Sequence, residues 1–163
     1  MPKQTYTEYD FKALMLIIDE YIAHGADIKK VDNNLFKIVS NTAVVYWRQL
    51  DDEITIGCAL YPAKQDLFVT ITGKNPKYIG KQPFASDLYV DILKDSQVSV
   101  ISDYHMSKDA FKLWKRLFKL QHTIRIYDIR NPSNQYQVYS QEGMDKYCSW
   151  FEHSKHWHYV LRK

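Results

Sequence analysis

The sequence predicts an α+β fold in which helices flank a central mixed and mostly antiparallel sheet. Three observations predict it: an amphipathic helical pattern near the start, a run of short β-rich segments after it, and helices that alternate with strands in the second half. The chain has 163 residues, 45% of them apolar, which suits one core of ordinary size. We therefore expect residues 1–163 to form a single domain with an added N-terminal helix.

The first half predicts one helix followed by an antiparallel meander. Apolar side chains recur at helical spacing between Tyr9 and Ala23, with Thr7 as a suitable N-cap and Gly25 as the end of the helix. Turn-forming pairs such as Asp51-Asp52 separate the β-rich segments that follow. These predicted strands are Leu35–Val39, Ala43–Leu50, Ile54–Leu60 and Leu67–Thr72.

From Gly73 onwards helices alternate with strands. A loop with glycine and proline leads into a predicted helix Pro83–Lys94, with Pro83 in its first turn. A second helix is predicted after Ser107, a suitable N-cap. The inner face of this helix is expected to carry Ala110, Leu113, Trp114 and Leu117, and the predicted strands are Val98–Ser102, Ile124–Ile129, Tyr136–Tyr139 and His156–Leu161.

The composition argues against several classes of protein. Cys58 and Cys148 lie far apart without a Cys-x-x-Cys pair, so neither a disulfide framework nor a zinc knuckle is expected. The first ten residues lack the layout of a signal peptide, and no apolar run approaches the roughly 18 residues of a membrane span. We therefore expect a soluble protein of the reducing cytoplasm.

Basic residues concentrate in two segments, although the net charge is only +3. Lys74, Lys77 and Lys81 lie in one loop, and the predicted helix after Ser107 carries five more. Both segments can meet phosphate groups or another polyanion, but an ordinary solvated surface is the better explanation, because a helix must present charged residues to water. The five residues that we consider for a protein or nucleic-acid partner are Lys108, Lys112, Lys115, Arg116 and Lys119.

Histidines near the C terminus invite a metal-site interpretation. His156 and His158 alternate along a predicted strand, and His153 and Cys148 lie nearby in sequence. The pattern does not specify a closed tetrahedral zinc site, because no second cysteine accompanies them. We therefore predict no metal, and we expect these imidazoles to face solvent.

The order of elements from Leu67 to Ile129 resembles the core of the GNAT (N-acetyltransferase) fold. It runs strand, glycine-bearing loop, helix, strand, helix, strand, which places backbone N–H groups at a helix N-terminus where phosphate can bind. In that family the loop carries a QxxGxG or QxxGxA pattern that grips the CoA pyrophosphate. The matching stretch from Lys77 keeps the middle glycine, Gly80, but has Gln82 in place of the small residue. Pro83 then removes one N–H donor.

A second set of residues resembles a signature of small GNAT-like proteins carried by bacteriophages and other mobile elements. A strand that ends in Ser-Asp is followed there by a polar cap and a Trp-x-x-Leu helix. A chain of that kind would act in the cytoplasm of the host. The residues that carry this likeness are Leu88-Tyr89, Val100-Ile101-Ser102-Asp103, Ser107, Trp114 and Leu117.

The resemblance implies an acyl-CoA-dependent N-acyltransferase that acts on an unknown amine. Its cofactor would be acetyl-CoA or CoA. A carboxylate near the central strands would act as base, and a tyrosine would protonate the leaving thiolate. The residues that the resemblance implies for the cofactor are Lys77, Gly80, Lys81 and Gln82, and those for catalysis are Asp66, Asp103 and Tyr104.

Other interpretations of the same residues stay open. Asp103 also suits a turn or capping role, because Asp at a strand-to-helix junction commonly bonds local N–H groups. A GNAT-like scaffold that has lost its cofactor and binds a host macromolecule would explain Gln82 and Pro83. A nucleic-acid binder would use the basic helix, and its affinity would depend steeply on salt.

Overall fold

The computed structural model describes residues 6–102, 108–128, 130–131, 133, 135–146 and 157–162. Its helices are α1 (Tyr6–Ala23), α2 (Ala85–Ser96), α3 (Lys108–Lys119) and α4 (Gln141–Lys146), with a 3-10 turn at Pro76–Tyr78. Its strands are β1 (Lys29–Lys30), β2 (Leu35–Val39), β3 (Val44–Leu50), β4 (Glu53–Ala63), β5 (Asp66–Lys74), β6 (Ser99–Ile101), β7 (Ile124–Asp128), β8 (Gln135–Gln137) and β9 (Trp157–Leu161).

The described strands form one sheet in the order β1-β2-β3-β4-β5-β6-β9-β7-β8. β5 and β6 run parallel, and every other described pair of neighbours is antiparallel. The structure thus confirms the α+β class, with a mixed, mostly antiparallel sheet flanked by helices. It also confirms the meander β2 to β5 and the order β5, loop, α2, β6, α3, β7 that the GNAT resemblance implies. No helix in the described part of the chain is long and apolar enough to cross a membrane.

Helix α1 lies on one face of the sheet at a pair of glycines. Gly57 of β4 and Gly73 of β5 face each other in register. A Cβ atom at Gly73 would lie 2.7 Å from the Cα atom of Phe11, and one at Gly57 would lie 2.6 Å from Leu14 Cδ2. The missing side chains let α1 approach the strands closely, which buries Leu14 and Ile18 completely.

The other face of the sheet carries α2 and α3 over the larger core. Trp114 of α3, which is 1% exposed, links the layers. Its ring centroid lies 5.7 Å from that of Tyr89 on α2 and 5.8 Å from that of Tyr159 on β9. Such aromatic contacts stabilise a core beyond the area that they bury.

Two ion pairs hold the outer side of α2 to the meander. Asp91 accepts a hydrogen bond of 2.7 Å from Arg48 Nη2, and Asp95 accepts one of 2.7 Å from Lys37 Nζ. The Tyr46 hydroxyl donates a further bond of 2.6 Å to Asp95. Burial raises the pKa of Asp95, but the bonds from Lys37 and Tyr46 outweigh it and leave that pKa below its usual value. The side of α2 that faces β2 and β3 is therefore fixed.

Several element boundaries differ from the sequence-based expectations. Thr7 lies inside α1 and so is not its N-cap, whereas Gly25 has the expected positive φ of 81°. Pro83 precedes α2, because the Phe84 N–H bonds the Asp87 carboxylate and the helix begins only at Ala85. On α3 the buried residues are Phe111, Trp114 and Leu117, with Ala110 and Leu113 only partly buried. β1 and α4 were not predicted, since two and six residues are too short to show a period.

Candidate functional site

Strands β5 and β6 separate after a short parallel pairing. The described pairs are Asp66 with Ser99, Leu67 with Val100 and Phe68 with Ile101, although β5 continues to Lys74. Just beyond them Thr70 is skipped in the pairing with β4, because the register shifts between Ala59–Ile71 and Leu60–Val69, and its Oγ1 donates to the Ala59 carbonyl oxygen at 2.9 Å. This is a β-bulge, which bends a strand and often redirects it next to a functional site.

Hydrogen bonds of Ser102 hold the end of β6 against β9, so β6 does not continue alongside β5. Its N–H donates to the Tyr159 carbonyl oxygen at 2.8 Å, and its Oγ accepts from the Tyr159 N–H at 2.9 Å. Its carbonyl oxygen lies 2.8 Å from His158 Nδ1. These bonds tie the end of β6 to β9, on the side away from β5.

Beyond Phe68 this edge of β5 has no pairing with β6, and we call the region beside β5 from Val69 to Lys74 the β5–β6 cleft. No described strand pairs with this edge of β5. Helix α1 covers one face at Gly73, and α2 covers the other, where Tyr89 Oη lies 2.7 Å from Thr72 Oγ1. The side chain of Thr70 is exposed in the middle of the sheet. An open strand edge can hydrogen-bond an extended ligand that contains amide groups.

His158 is buried, which corrects the expectation that it faces solvent. It is 3% exposed, and its ring meets Phe68 edge-on with centroids 6.4 Å apart. The cause is topological, because β9 lies between β6 and β7 inside the sheet rather than at its edge. Cys148, His153 and His156 lie outside the described residues. Within the described part of the chain no three His, Cys, Asp or Glu side chains are grouped to hold a metal ion.

The loop between β5 and α2 contains the four residues expected to bind the cofactor. Lys77 is ion-paired with Glu53 at 2.9 Å, and hydrogen bonding from Lys77 lowers the pKa of the Glu53 carboxyl. Gly80 has a φ of 76° and an open space where a Cβ would stand. Lys81 is exposed. Gln82 lines an open cavity of about 470 Å³ beneath α2, on the side of β3.

Most N–H groups of this loop already have acceptors within the protein. The N–H groups of Asn75, Lys77, Tyr78, Ile79, Lys81 and Phe84 all donate to the loop or its immediate neighbours. Those of Gly80 and Gln82 donate to no described acceptor. The loop can therefore offer two N–H groups and the Lys81 side chain to a phosphate. The Asp87 carboxylate at the start of α2 opposes an anion at the helix N-terminus itself.

Of the three predicted catalytic residues, Asp66 lies in the described part of the chain. Asp66 begins β5, about 13 Å along the strand from Thr70 at the usual rise. It is half-buried, and burial raises the pKa of its carboxyl, against the opposing charges of Arg162 and Lys64. Asp103 and Tyr104 lie outside the described residues; they follow Ser102 directly in the sequence.

Replacing Asp66 with asparagine is expected to change how stability depends on pH. The folded-state pKa lies above 3.8, so protonation favours the folded state as the pH falls through that folded pKa towards 3.8. The variant lacks this gain, and it is expected to be at least as stable as the parent at pH 7. Urea unfolding between pH 7 and pH 3 measures the difference, with the exposed Asp19→Asn as control. A parent that loses stability relative to the variant on acidification would contradict the assignment.

No protein-family model matches the chain, and no curated protein matches it. A solved structure similar to it is the crystal structure of a Bacillus subtilis acetyltransferase in complex with CoA. That protein is 14% identical, with a TM-score of 0.47, over 99% of this chain and 95% of its own. The fold described above rests on the strand order and pairing of this chain.

The sequence did not point to Thr70 or Thr72 as site residues, and it drew attention to His158 only through the metal-site interpretation. Thr70 lies in an apolar alternation that gives no sign of a bulge. Tyr89 and Ser102 belong to the residues quoted for the mobile-element likeness, and they are the ones that contact the cleft and the end of β6. Their place in that likeness was the one feature of the sequence that drew attention to Tyr89 and Ser102.

Proposed function

We propose that this chain binds an acyl-CoA thioester in the β5–β6 cleft and transfers its acyl group to an amine. One observation carries the proposal: β5 leaves β6 at the bulge of Thr70, which opens a backbone edge between α1 and α2. The pantetheine arm of CoA is an extended chain with amide groups, so it can pair with such an edge. The resemblance of the loop and core elements to the GNAT fold supports the choice of acyl-CoA.

In this proposal the loop after β5 contacts the phosphate-bearing end of the cofactor. Gly80 and Gln82 supply their N–H groups, and Lys81 supplies its side chain. The Lys77 ammonium, which is ion-paired with Glu53, contributes a second positive charge when it also contacts the ligand. Gly80 lets the phosphate approach the backbone closely, because its α-carbon carries no side chain and faces open space.

The bound thioester would supply an activated acyl carbon for attack by an amine. The amine nitrogen forms a bond to that carbon, the bond from carbon to sulfur breaks, the amine loses a proton and the thiolate gains one. We propose Asp103 as the acceptor of the first proton and Tyr104 as the donor of the second, since both follow Ser102 at the open end of β6. Asp66 is the alternative base, although it lies at the other end of β5.

Calorimetric titration with acetyl-CoA and CoA tests the binding step. Saturable binding is expected, and Thr70→Trp is expected to weaken it at least tenfold by filling the cleft. Thr42→Trp, at an exposed threonine in the turn between β2 and β3, is the matched control and should bind as the parent does. Absence of binding to the parent at millimolar ligand, or equal effects of both variants, would overturn the proposal.

A transfer assay tests the chemistry separately. Release of free CoA thiol from acetyl-CoA is followed with a panel of primary amines. Asp103→Asn and Tyr104→Phe should lower the turnover rate while the affinity for CoA stays within about twofold. Unchanged turnover in both variants would remove these residues from the catalytic role and leave Asp66 to be tested.

A second candidate function is a GNAT-like protein that binds a macromolecule without cofactor. The N-terminus of α2 favours this second function. There the Phe84 N–H already donates to the Asp87 carboxylate and Pro83 has no N–H, so neither residue offers a donor to a phosphate. The basic face of α3 would then contact the partner through Lys112, Lys119 and their neighbours. This function predicts no response to CoA, which is the outcome that separates it from the first.

A further inference from the structure

Two cations from distant parts of the sequence converge on one aromatic ring. Lys74 Nζ, at the end of β5, lies 4.7 Å from the centroid of the Phe84 ring. The guanidinium carbon of Arg116, in the last turn of α3, lies 4.6 Å from the same centroid. The fold thus joins one residue from each of the two basic segments of the sequence.

Neither cation is neutralised by a direct ion pair with a described carboxylate. Lys74 Nζ donates to the Lys81 carbonyl oxygen, which fixes it against the loop. The Asp87 carboxylate attracts the Lys74 ammonium without forming an ion pair with it. Both cations lie within 4.7 Å of the centroid of one ring, so both add positive potential to the space around Phe84, where an anion is attracted.

Lys74 and Arg116 differ in how far their charged groups are exposed to water. Burial lowers the pKa of the Lys74 ammonium, so its positive charge is partly removed from water. Arg116 is exposed, and its planar guanidinium is well suited to phosphate oxygens. Phe84 contacts both through its ring face, which holds the cations without neutralising them.

We propose that Lys74 and Arg116 form an anion site around Phe84 that holds a phosphate or pyrophosphate group. In this proposal the phosphate binds beside Phe84 and not at the N-terminus of α2, because the Asp87 carboxylate at that N-terminus repels an anion. As the site of the acyl-CoA phosphates it rests on the proposed function, whereas as an anion site it stands without it. It also assigns a ligand contact to α3, a helix that the loop pattern does not include.

Titration of the full chain with inorganic pyrophosphate at low salt tests the site. Saturable binding is expected, with a loss of about tenfold or more in Arg116→Gln and in Lys74→Gln. Lys94→Gln removes the same charge at an exposed position in the last turn of α2 and should change affinity by no more than about twofold. Arg116 is exposed, so its variant is expected to keep the melting temperature of the parent. Equal losses in Arg116→Gln and Lys94→Gln, or no binding by the parent, would overturn the site.

Titration with CoA and acetyl-CoA then identifies the source of the phosphate. If pyrophosphate competes with CoA and Arg116→Gln weakens both, the site holds the phosphates of the cofactor. If pyrophosphate binds through Arg116 but CoA does not bind, the anion site stands and the proposed function fails. If CoA binds with equal affinity to the parent and to Arg116→Gln, the anion site is overturned as a cofactor site and the proposed function stands.

Discussion

Replacing Gly73 with alanine is expected to destabilise the protein by about 1–3 kcal/mol, the usual cost of an overpacked core. The added Cβ would lie 2.7 Å from Phe11 Cα and 2.9 Å from the carbonyl carbon of Asp10, both backbone atoms of α1. A backbone cannot move aside as a flexible side chain can, so α1 must shift away from β5. The same shift would loosen the wall that α1 provides to the β5–β6 cleft.

Urea unfolding and amide hydrogen exchange measure this effect. Faster exchange is expected within α1, beyond the fall in global stability. Gly143→Ala is the matched control, because its Cβ would meet Ser140 Oγ and Val138 Cγ1 at 3.5 Å, an ordinary contact. That variant should be neutral or slightly stabilising. A Gly73→Ala protein as stable as the parent would show that α1 does not need the glycine.

Truncating Trp114 to alanine is expected to cost about 3–5 kcal/mol, the largest effect of any single substitution considered for this chain. Trp114 is 1% exposed and touches rings on both α2 and β9, so its loss leaves a cavity where three elements meet. Leu120→Ala, at a residue that is 50% exposed just after α3, should stay within about 0.5 kcal/mol of the parent. Denaturant unfolding compares the two, and a loss below 1 kcal/mol at Trp114 would contradict its role as the anchor of α3.

Local pattern was enough to predict most elements of the fold. The helical spacing before Gly25 and the turn pairs between the β-rich segments are properties of short stretches, and the structure has α1 and the β2 to β5 meander at those places. Trp114 was likewise expected in the core because of its spacing with Leu117, and both are buried. Such features depend on neighbours in sequence.

The candidate site depends instead on contacts between distant residues. His158 is buried because β9 inserts between β6 and β7, a topological fact that no alternation of residues encodes. Ser102 acquires its role only from bonds to residues more than fifty positions later. Lys74 and Arg116 each look like ordinary surface cations until the fold brings them to Phe84. The two basic segments are visible in the sequence, but the place where the fold brings them together is not.

The short contact between β5 and β6 has a further consequence for how the protein unfolds. Among the strand pairs of the described residues, three, from Asp66 to Phe68 on β5, join the first five strands to the last four. The part with α1 has a core of its own around Leu14 and Trp47. The larger core under α2 and α3 takes residues from both halves of the sheet, so under mild denaturant we expect α1 and its smaller core to lose structure before the rest. A ligand that fills the gap beside α1 would stabilise that part and bring unfolding closer to a single transition.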